Sequence, residues 1–296
     1  MKKKLLKISF AMCFLFGFLK TGSSENEKAI LTEKNKAEIT CQEIVQKMFQ
    51  AVKKISTLRY DMKAMERIDG KMIASQASIK LAVSPLKLYS KNPVTGREIL
   101  WVTGENNGEA IIDPNSFPYF DLNLDPYGNL MRHNQHHTIF EIGFSYMTNT
   151  IKGFVNKSEN NIDKYFQLSG SIIFSNKICY VVNINYPKFT YINYTVQKGE
   201  TITSIARKLN VSEYEILQKN NFSDYNITMK EGEIIEVPSN YSSKSILYID
   251  ENTFLPLLVQ IYDDKGLFEQ YEYHNVEINP FISPDEFTKK YSKYHF

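Results

Sequence analysis

The chain lacks an apolar run long enough to cross a membrane as a helix. Its main apolar run, at residues 8–19, has 12 residues, whereas a spanning helix needs about 20. Lysines precede this run, and a small polar stretch at 21–24 follows it. We therefore expect a secretory signal peptide at 1–24 and no transmembrane helix in the mature, exported chain. Cys13 lies inside the run rather than at its end, which makes lipidation less favoured than a cleaved signal or an uncleaved anchor.

An excess of charge of either sign is also missing. The chain has 35 basic and 33 acidic residues and a formal net charge of +2. Five of the lysines lie within residues 1–24, and without them the net charge is −3. A nucleic-acid-binding surface needs clustered positive charge. We therefore expect no nucleic-acid partner.

Cysteine is scarce, and only Cys41 and Cys179 lie beyond the expected signal peptide. Export permits a disulfide between them, but two free thiols are the interpretation we favour. No CxxC or Cys/His cluster of zinc type occurs. His133, His136 and His137 are the one group with metal-ligand side chains, and histidines before a helix are more frequently hydrogen-bonded spacers. The sequence therefore indicates no metal and no cofactor.

Motifs of the common nucleophile and metal enzymes are absent as well. The sequence contains no G-x-S-x-G, no H-E-x-x-H and no Cys–His motif. A carboxylate pair of the glycosidase type forms only in three dimensions and leaves no linear motif. We therefore predict a protein that is not an enzyme, with a hydrolase that uses an unrecognised carboxylate site as the alternative.

Two amphipathic helices are predicted. Thr40 and Glu43 have the spacing of a capping box, and apolar residues then recur every three or four positions over the next three turns. A second helix is expected from near Thr138, where Glu141 occupies the capping-box position and an apolar stripe extends to Phe154.

Elsewhere apolar residues recur at every second position, which indicates strands. An Asp69–Gly70 turn joins the first two strands into a predicted hairpin. The expected strands cover residues 58–64, 77–83, 96–102, 109–113, about 165–175, 178–186 and three segments between 246 and 278. An antiparallel sheet with helices against one face is an α+β fold.

Residues 194–238 interrupt this pattern with a β-α-α-β order of elements. The segment 190–240 contains five basic and seven acidic residues. Its motifs are Tyr194-Thr195-Val196, Gly199-Glu200-Thr201, Ile205-Ala206, Val211, Leu217, Asn220, Asn226-Ile227, Gly232 and Ile235-Glu236-Val237-Pro238. On these motifs the segment resembles the LysM domain, although Lys230–Glu233 departs from the commonest turn and keeps only its glycine.

LysM domains bind glycans that contain N-acetylglucosamine, so the resemblance implies peptidoglycan or a chitin-like glycan as the partner. By analogy the groove lies between two loops, and Tyr225 would stack on a sugar face. The implied glycan-binding residues are Gly199, Glu200, Thr201, Ile202, Tyr225, Asn226, Ile227 and Thr228. The alternative is that Ile202 and Ile227 are only the core of a small domain without a working groove.

The flanking sequence is similar to LolA-like periplasmic lipoprotein carriers. Residues 251–287 contain a Leu-Pro pair, an Asp-x-Gly hairpin, an aromatic strand and a Pro-x-x-Phe segment in that order. Residues 66–71 and 130–144 resemble a bacterial family of uncharacterised domains of the same superfamily. The resemblance implies a curved antiparallel half-barrel with helices on its concave face. In the carriers that face takes acyl chains.

Apolar side chains suit such a cavity, and they would equally suit an ordinary core. They are Phe140, Phe144 and Met147 on the second predicted helix and Met62, Met65 and Met72 on the strands. A lipid or a lipoprotein acyl chain is therefore the candidate ligand of this domain.

The predicted organisation is a signal peptide at 1–24, a flexible leader at 25–39, a LolA-like domain at 40–188 and 244–296, and a LysM domain at 190–240 inserted between two strands. The predicted function is a non-enzymatic protein of the periplasm or cell envelope that binds peptidoglycan. The alternatives are a peptidoglycan-remodelling hydrolase and a purely structural envelope linker.

Overall fold

The computed structural model describes residues 39–158 and 161–296, so the expected signal peptide and all but the last residue of the expected leader lie outside the described residues. The helices are α1 (Cys41–Lys53), α2 (Ser145–Lys157), α3 (Ile162–Tyr165), α4 (Ile202–Leu209) and α5 (Glu213–Lys219), with 3₁₀ turns at Asn106–Gly108, Ile139–Glu141 and Pro284–Phe287. The strands are β1 (Thr57–Ile68), β2 (Lys71–Val83), β3 (Leu86–Lys91), β4 (Glu98–Val102), β5 (Ala110–Asp113), β6 (Leu122–Leu124), β7 (Phe166–Phe174), β8 (Lys177–Asn185), β9 (Tyr191–Thr195), β10 (Ile234–Pro238), β11 (Lys244–Asp250), β12 (Pro256–Tyr262) and β13 (Leu267–Ile278). None of the helices in this part of the chain combines the length and the hydropathy that a membrane crossing requires.

Eleven strands form one antiparallel sheet, ordered β6-β5-β4-β3-β2-β1-β13-β12-β11-β8-β7. β6 and β7 are its edges and do not pair with each other, so the sheet is open. Apolar residues of α1 and α2 share one buried core with the inward-facing residues of the central strands. The predicted α+β class and open half-barrel sheet are confirmed.

The predicted hairpins are present. β1 pairs with β2 from Thr57 opposite Ala82 to Ile68 opposite Lys71. The turn residues Asp69 and Gly70 have φ of 48° and 76°, as a type I′ hairpin turn requires. β4 likewise pairs with β5, and the three segments after residue 244 form the meander β11-β12-β13.

Two strands of the sheet have no counterpart in the sequence analysis. β3 pairs with β2 and β4, and β6 pairs with β5 at the edge. Two lysines among the six residues of β3 weaken its apolar alternation. β6 has only three residues and follows a stretch rich in proline.

The first predicted helix is confirmed with its cap. Thr40 Oγ1 accepts a hydrogen bond from the Glu43 amide at 3.1 Å, and Glu43 Oε2 accepts one from the Thr40 amide at 2.8 Å. The apolar stripe of α1 is buried, including Ile44 and Met48, both at 0% exposure.

The predicted start of the second helix near Thr138 is wrong. Glu141 Oε2 does accept a hydrogen bond from the Thr138 amide at 3.0 Å, but this cap closes only a 3₁₀ turn. Gly143 then has φ of 84°, and a Cβ there would lie 3.0 Å from a methyl of Leu81. This close approach to β2 separates the 3₁₀ turn from α2, which begins at Ser145.

The interrupting segment has the predicted β-α-α-β order, here called the inserted module (residues 191–238). β9 pairs with β10, while β8 and β11 on either side of the module pair directly with each other. The chain therefore leaves the sheet after β8 and returns in the neighbouring strand. The module has its own core of Val196, Ile202, Ile205, Ala206, Val211, Ile216, Ile235 and Val237.

Cys41 and Cys179 are both free thiols, on α1 and β8. Burial raises the pKa of each thiol to about 11. Neither is therefore a reactive thiolate at neutral pH.

Two isoleucines on strands of the same sheet give a matched stability test. Ile249→Ala on β11 removes a side chain of 0% exposure and should lower the free energy of unfolding by about 2 to 5 kcal/mol, because it leaves a cavity. Ile173→Ala on the edge strand β7, at 75% exposure, should change it by less than about 0.5 kcal/mol. Denaturant unfolding of both variants measures the difference, and similar losses would contradict this assignment of the core.

Candidate functional site

The turn after β9 contains the first group of predicted glycan-binding residues. Gly199 has φ of 78°, and a Cβ there would meet no atom within 4 Å, so the backbone conformation alone favours glycine. The Glu200 carboxylate accepts hydrogen bonds from the Lys208 ammonium at 2.8 Å, the Gln197 amide at 2.9 Å and the Tyr194 hydroxyl at 2.8 Å. The bonds from Lys208 and Gln197 lower the pKa of Glu200. Glu200 therefore stabilises the turn as a carboxylate.

α4 begins directly after this turn. Thr201 is its N-cap and is exposed, and its Oγ1 accepts a hydrogen bond from the Ser204 amide at 3.1 Å. The Ile202 side chain is at 0% exposure in the core of the inserted module. Ile202 can therefore contact a ligand only through its backbone in this conformation.

The loop after α5 contains the second group. Asn226 and Thr228 are exposed, and the Asn226 amide donates to Asp224 Oδ1 at 2.7 Å. Ile227 packs against the same core as Ile202. The turn and the loop are therefore anchored on one core, with Asn226 and Thr228 open to solvent.

Tyr225 does not share this exposure. The Arg132 guanidinium lies 3.3 Å from the centroid of its ring, and its hydroxyl is buried without a hydrogen-bond partner. Arg132 also donates to Glu213 Oε2 at 2.7 Å and to the His136 carbonyl at 3.2 Å. Tyr225 thus packs between the inserted module and the sheet domain, and one face of its ring is covered by Arg132.

α5 makes further contacts with the sheet domain. The Tyr214 ring stacks on His136 with centroids 4.4 Å apart, and Phe268 stacks on His136 at 4.2 Å. The Tyr214 hydroxyl accepts a hydrogen bond from the Asp69 amide at 2.9 Å. The module is therefore docked on the sheet domain through one helix face and is more than a tethered appendage.

At this contact, the Glu215 carboxyl group on α5 is buried without hydrogen bonds. It is 2% exposed, and neither carboxylate oxygen has a hydrogen-bond partner. Burial, together with the charges of Asp263, Glu269 and Asp264, raises the pKa of Glu215 well above its usual range. The carboxyl group is therefore held in its neutral form.

A buried polar cluster surrounds Glu269 on β13. His136 Nδ1 lies 2.9 Å and His137 Nε2 3.1 Å from Glu269 Oε2. The Tyr241 hydroxyl donates to the same carboxylate at 2.9 Å, and the Tyr271 hydroxyl lies 3.1 Å from it but makes its shorter contact to Glu66. Burial alone would raise the pKa of Glu269, but His137 and His136 lower it below its usual range. Glu269 is thus a carboxylate compensated by two histidines and the Tyr241 hydroxyl.

His137 is the cation of this cluster. Its Nδ1 lies 3.0 Å from Glu141 Oε2, so both ring nitrogens face carboxylates. Burial by itself lowers the pKa of His137, whereas Glu269 and Glu141 raise it, and the net result lies well above the usual range. His133, the third histidine of the sequence motif, is exposed.

Glu66, His136 and Glu269 are the set that could hold a metal ion among the described residues, with ligand atoms within 4.8 Å of one another. These atoms already have partners inside the cluster. Glu66 accepts from the Tyr271 hydroxyl, and His136 Nε2 lies 3.2 Å from the Arg67 carbonyl. These partners account for the geometry, and nothing in it requires a metal.

A cavity of about 150 Å³ lies beside this cluster. Its walls include the apolar residues Met62, Ala64, Ala77, Ile79, Leu88, Ile99, Ile139, Ile142 and Met147. Its polar lining includes Glu66, Arg97, Gln135, His137 and Glu141. A second cavity of about 460 Å³ shares four lining residues with it, namely Ala64, Ser75, Gln76 and Asn92.

The apolar side chains that the sequence offered as a cavity lining do not all lie in one place. Met62 and Met147 line the smaller cavity, and Met65 lines the larger one. Phe144 is fully buried in the core, and Met72 is 42% exposed on β2. The sequence analysis missed Glu66 and Glu269, because carboxylates more than 200 residues apart meet only across β1 and β13.

Two glutamates of α5 give opposite predictions. Glu215→Gln should raise stability by about 1 to 3 kcal/mol at neutral pH, because it removes the carboxylate that burial disfavours. Since the folded-state pKa is raised, the gain should be absent below the ordinary pKa of 4.5 and grow as pH rises. Glu213→Gln leaves the Arg132 charge buried without its opposite charge and should cost about 3 to 5 kcal/mol. Thermal unfolding from pH 4 to 8 measures both, and a destabilised Glu215→Gln variant would contradict the assignment.

Two family models match stretches of the chain. Residues 194–238 match the LysM domain. Residues 55–200 match a family described as a protein of unknown function, DUF1571. No curated protein is significantly similar to the chain.

Several solved structures resemble the chain at low sequence identity. Lipoprotein LppX from Mycobacterium tuberculosis is 10% identical, with a TM-score of 0.38, over 81% of this chain and 96% of that one. LprF from Mycobacterium bovis is 11% identical, with a TM-score of 0.40, over 83% and 96%. A putative outer membrane lipoprotein-sorting protein domain from Vibrio parahaemolyticus is 10% identical, with a TM-score of 0.30, over 84% and 96%.

At these TM-scores the fold assignment rests on the strand order itself. The family match at 194–238 covers the motifs from Tyr194 to Pro238 and the two helices between them. Residues 194–238 of this chain are therefore a LysM domain.

Proposed function

We propose that this chain is a non-enzymatic protein of the cell envelope that binds peptidoglycan through its LysM domain. The observation that carries the proposal is the LysM match at 194–238, together with a turn and a loop on one core whose polar groups are open to solvent. A neutral acetylated sugar needs backbone and small polar partners more than charge. Residues 190–240, with five basic and seven acidic side chains, suit such a ligand better than a charged one.

Within this groove the predicted residues have different roles. Gly199, Thr201, Asn226 and Thr228 would contact the sugar, because they are exposed. Glu200 would hold the turn through its hydrogen bonds, and Ile202 and Ile227 would hold the turn and the loop through the core of the module. Tyr225 would position the loop through its contact with Arg132 instead of stacking on a sugar.

We also propose export to the periplasm or envelope, which is where peptidoglycan is found. The support is the basic and apolar pattern of residues 1–24. An enzymatic role has less support, because the close carboxylates Glu66 and Glu269 are 5% and 0% exposed and bonded within their cluster. A hydrolase would need such a pair open to substrate and water.

For the sheet domain we propose an apolar ligand, namely a lipid or a lipoprotein acyl chain. The apolar wall of the 150 Å³ cavity and its polar side at Arg97 and His137 match an amphiphile. A cavity of about this volume admits a benzene-sized molecule. A long chain would therefore enter only if the segment 139–147, which forms one wall, shifts away from the sheet.

The groove is tested with the full chain and purified sacculi. The double variant Asn226→Ala/Thr228→Ala should bind at least about tenfold more weakly, corresponding to about 1.4 kcal/mol, because two exposed polar groups are lost. The control Asn193→Ala changes an exposed asparagine on β9 outside the groove and should bind as the parent does. Equal retention of all three proteins in co-sedimentation would refute the assigned groove.

The cavity is tested by filling it. Ala77 lines the cavity and is half-buried, so Ala77→Phe should occupy its volume and reduce uptake of a fluorescent fatty acid at least about tenfold. Ser171→Phe, at an exposed position of the edge strand β7 that lines neither cavity, is the control. Absence of fatty-acid uptake by the parent chain, together with no acyl species in native mass spectra, would count against the lipid ligand and leave the glycan proposal standing.

A further inference from the structure

One loop of the sheet domain exposes three aromatic side chains close together. Phe117, Tyr119 and Phe120 lie between β5 and β6 and are 82%, 81% and 62% exposed. The rings of Phe117 and Tyr119 meet edge to face with centroids 6.3 Å apart. Adjacent exposed aromatic residues mark an interaction surface more frequently than scattered ones do. We call residues 114–121 the aromatic loop.

The aromatic loop is fixed to the neighbouring turn at 92–97. Asn115 Nδ2 donates to the Thr95 carbonyl at 2.8 Å, and the Asn115 amide donates to Asp113 Oδ1 at 2.8 Å. Val94 in the same turn is 73% exposed. Apolar side chains of two adjoining segments are therefore presented to solvent on a backbone held by hydrogen bonds.

Positive charge adjoins this loop. Lys289 forms an ion pair with Asp121, which joins the segment 288–296 to the aromatic loop. That segment contains Lys289, Lys290 and Lys293 and no acidic residue. Lys290 and Lys293 are exposed, and no carboxylate within the described residues pairs with either. The Asp121 charge is compensated by Lys289, which leaves Lys290 and Lys293 as exposed cations of this segment.

Exposed aromatic side chains beside unpaired lysines have the chemistry of a membrane-surface contact. Phe and Tyr rings partition into the headgroup region, where an apolar ring and a hydroxyl are both accommodated. Lysines within a Debye length add attraction to anionic headgroups. We propose that the aromatic loop, with Lys290 and Lys293, docks this protein onto the surface of an anionic lipid membrane.

This surface differs from the glycan groove and does not depend on it. The groove belongs to the LysM domain, whereas the aromatic loop belongs to the edge of the sheet formed by β5 and β6. Asn92 and Arg97 of the adjoining turn line the 150 Å³ cavity. Docking through the aromatic loop would therefore place a cavity-lining turn at the lipid surface.

The test is flotation of the mature chain, without the expected signal peptide at 1–24, with vesicles of phosphatidylcholine, with and without phosphatidylglycerol. The parent chain should float with the anionic vesicles, and 0.5 M salt should weaken this binding, because ions screen the lysines. The triple variant Phe117→Ser/Tyr119→Ser/Phe120→Ser should bind at least tenfold more weakly. Lys290→Gln/Lys293→Gln should lose most of the preference for anionic vesicles.

Ile173→Ser is the matched control, since Ile173 is 75% exposed on β7 at the opposite edge of the sheet. It should float as the parent does. Circular dichroism and the melting temperature verify folding of each variant, and the single Phe117→Ser variant gives a second, milder test. The proposal is overturned if the parent chain does not float with anionic vesicles, or if the triple variant floats as well as the parent. Retention of sacculus binding in the triple variant would show that the two surfaces act separately.

Discussion

The Glu269 carboxylate is the buried charge around which the sheet domain and the LysM domain are joined. It is 0% exposed near the start of β13, where an uncompensated charge would be strongly destabilising. Compensation comes from His136 and His137 in one stretch of the chain and from Tyr241 in another. These stretches must be in position together for the charge to be tolerated. The cluster therefore couples the loop before α2 to the sheet.

The segment that contains Arg132, His136 and His137 contacts both the LysM domain and the cavity. His136 stacks on Tyr214 of the LysM domain, and Arg132 pairs with Glu213 and covers Tyr225. His137 lines the cavity. A LysM domain that used Tyr225 against a sugar would have to release it from Arg132, so docking on the sheet domain favours a groove made of the turn and small polar groups. The domain contact and the composition of the groove are thus linked.

Local patterns in the sequence were sufficient to predict most helices, strands and turns. The Asp69–Gly70 turn, the Thr40 cap and the motifs from Tyr194 to Pro238 depend on neighbours within a few residues, and each of these predictions is confirmed. The start of α2 was wrong, because the Thr138 cap is a local signal that a tertiary contact overrides. Gly143 must approach Leu81 closely, and its positive φ ends the turn that the cap began.

The contacts that matter for function were the least accessible to sequence reasoning. The pairing of Arg132 with Glu213 spans 81 positions, and that of His136 with Glu269 spans 133. Neither leaves a periodic signal, so Tyr225 looked like a free aromatic beside a groove, and the histidine motif looked like a row of spacers. Burial of a side chain by a distant segment is a property of the tertiary structure alone.

We expect the LysM domain to bind N-acetylglucosamine-containing glycan through its turn and loop while it stays docked on the sheet domain. The direct measurement is a backbone amide NMR titration of the full chain with a soluble peptidoglycan oligosaccharide. The amide resonances of Gly199, Thr201, Asn226 and Thr228 should shift, and those of His136 and Glu269 should stay unchanged. No shift changes in the turn and loop, or changes confined to the sheet domain, would contradict this expectation.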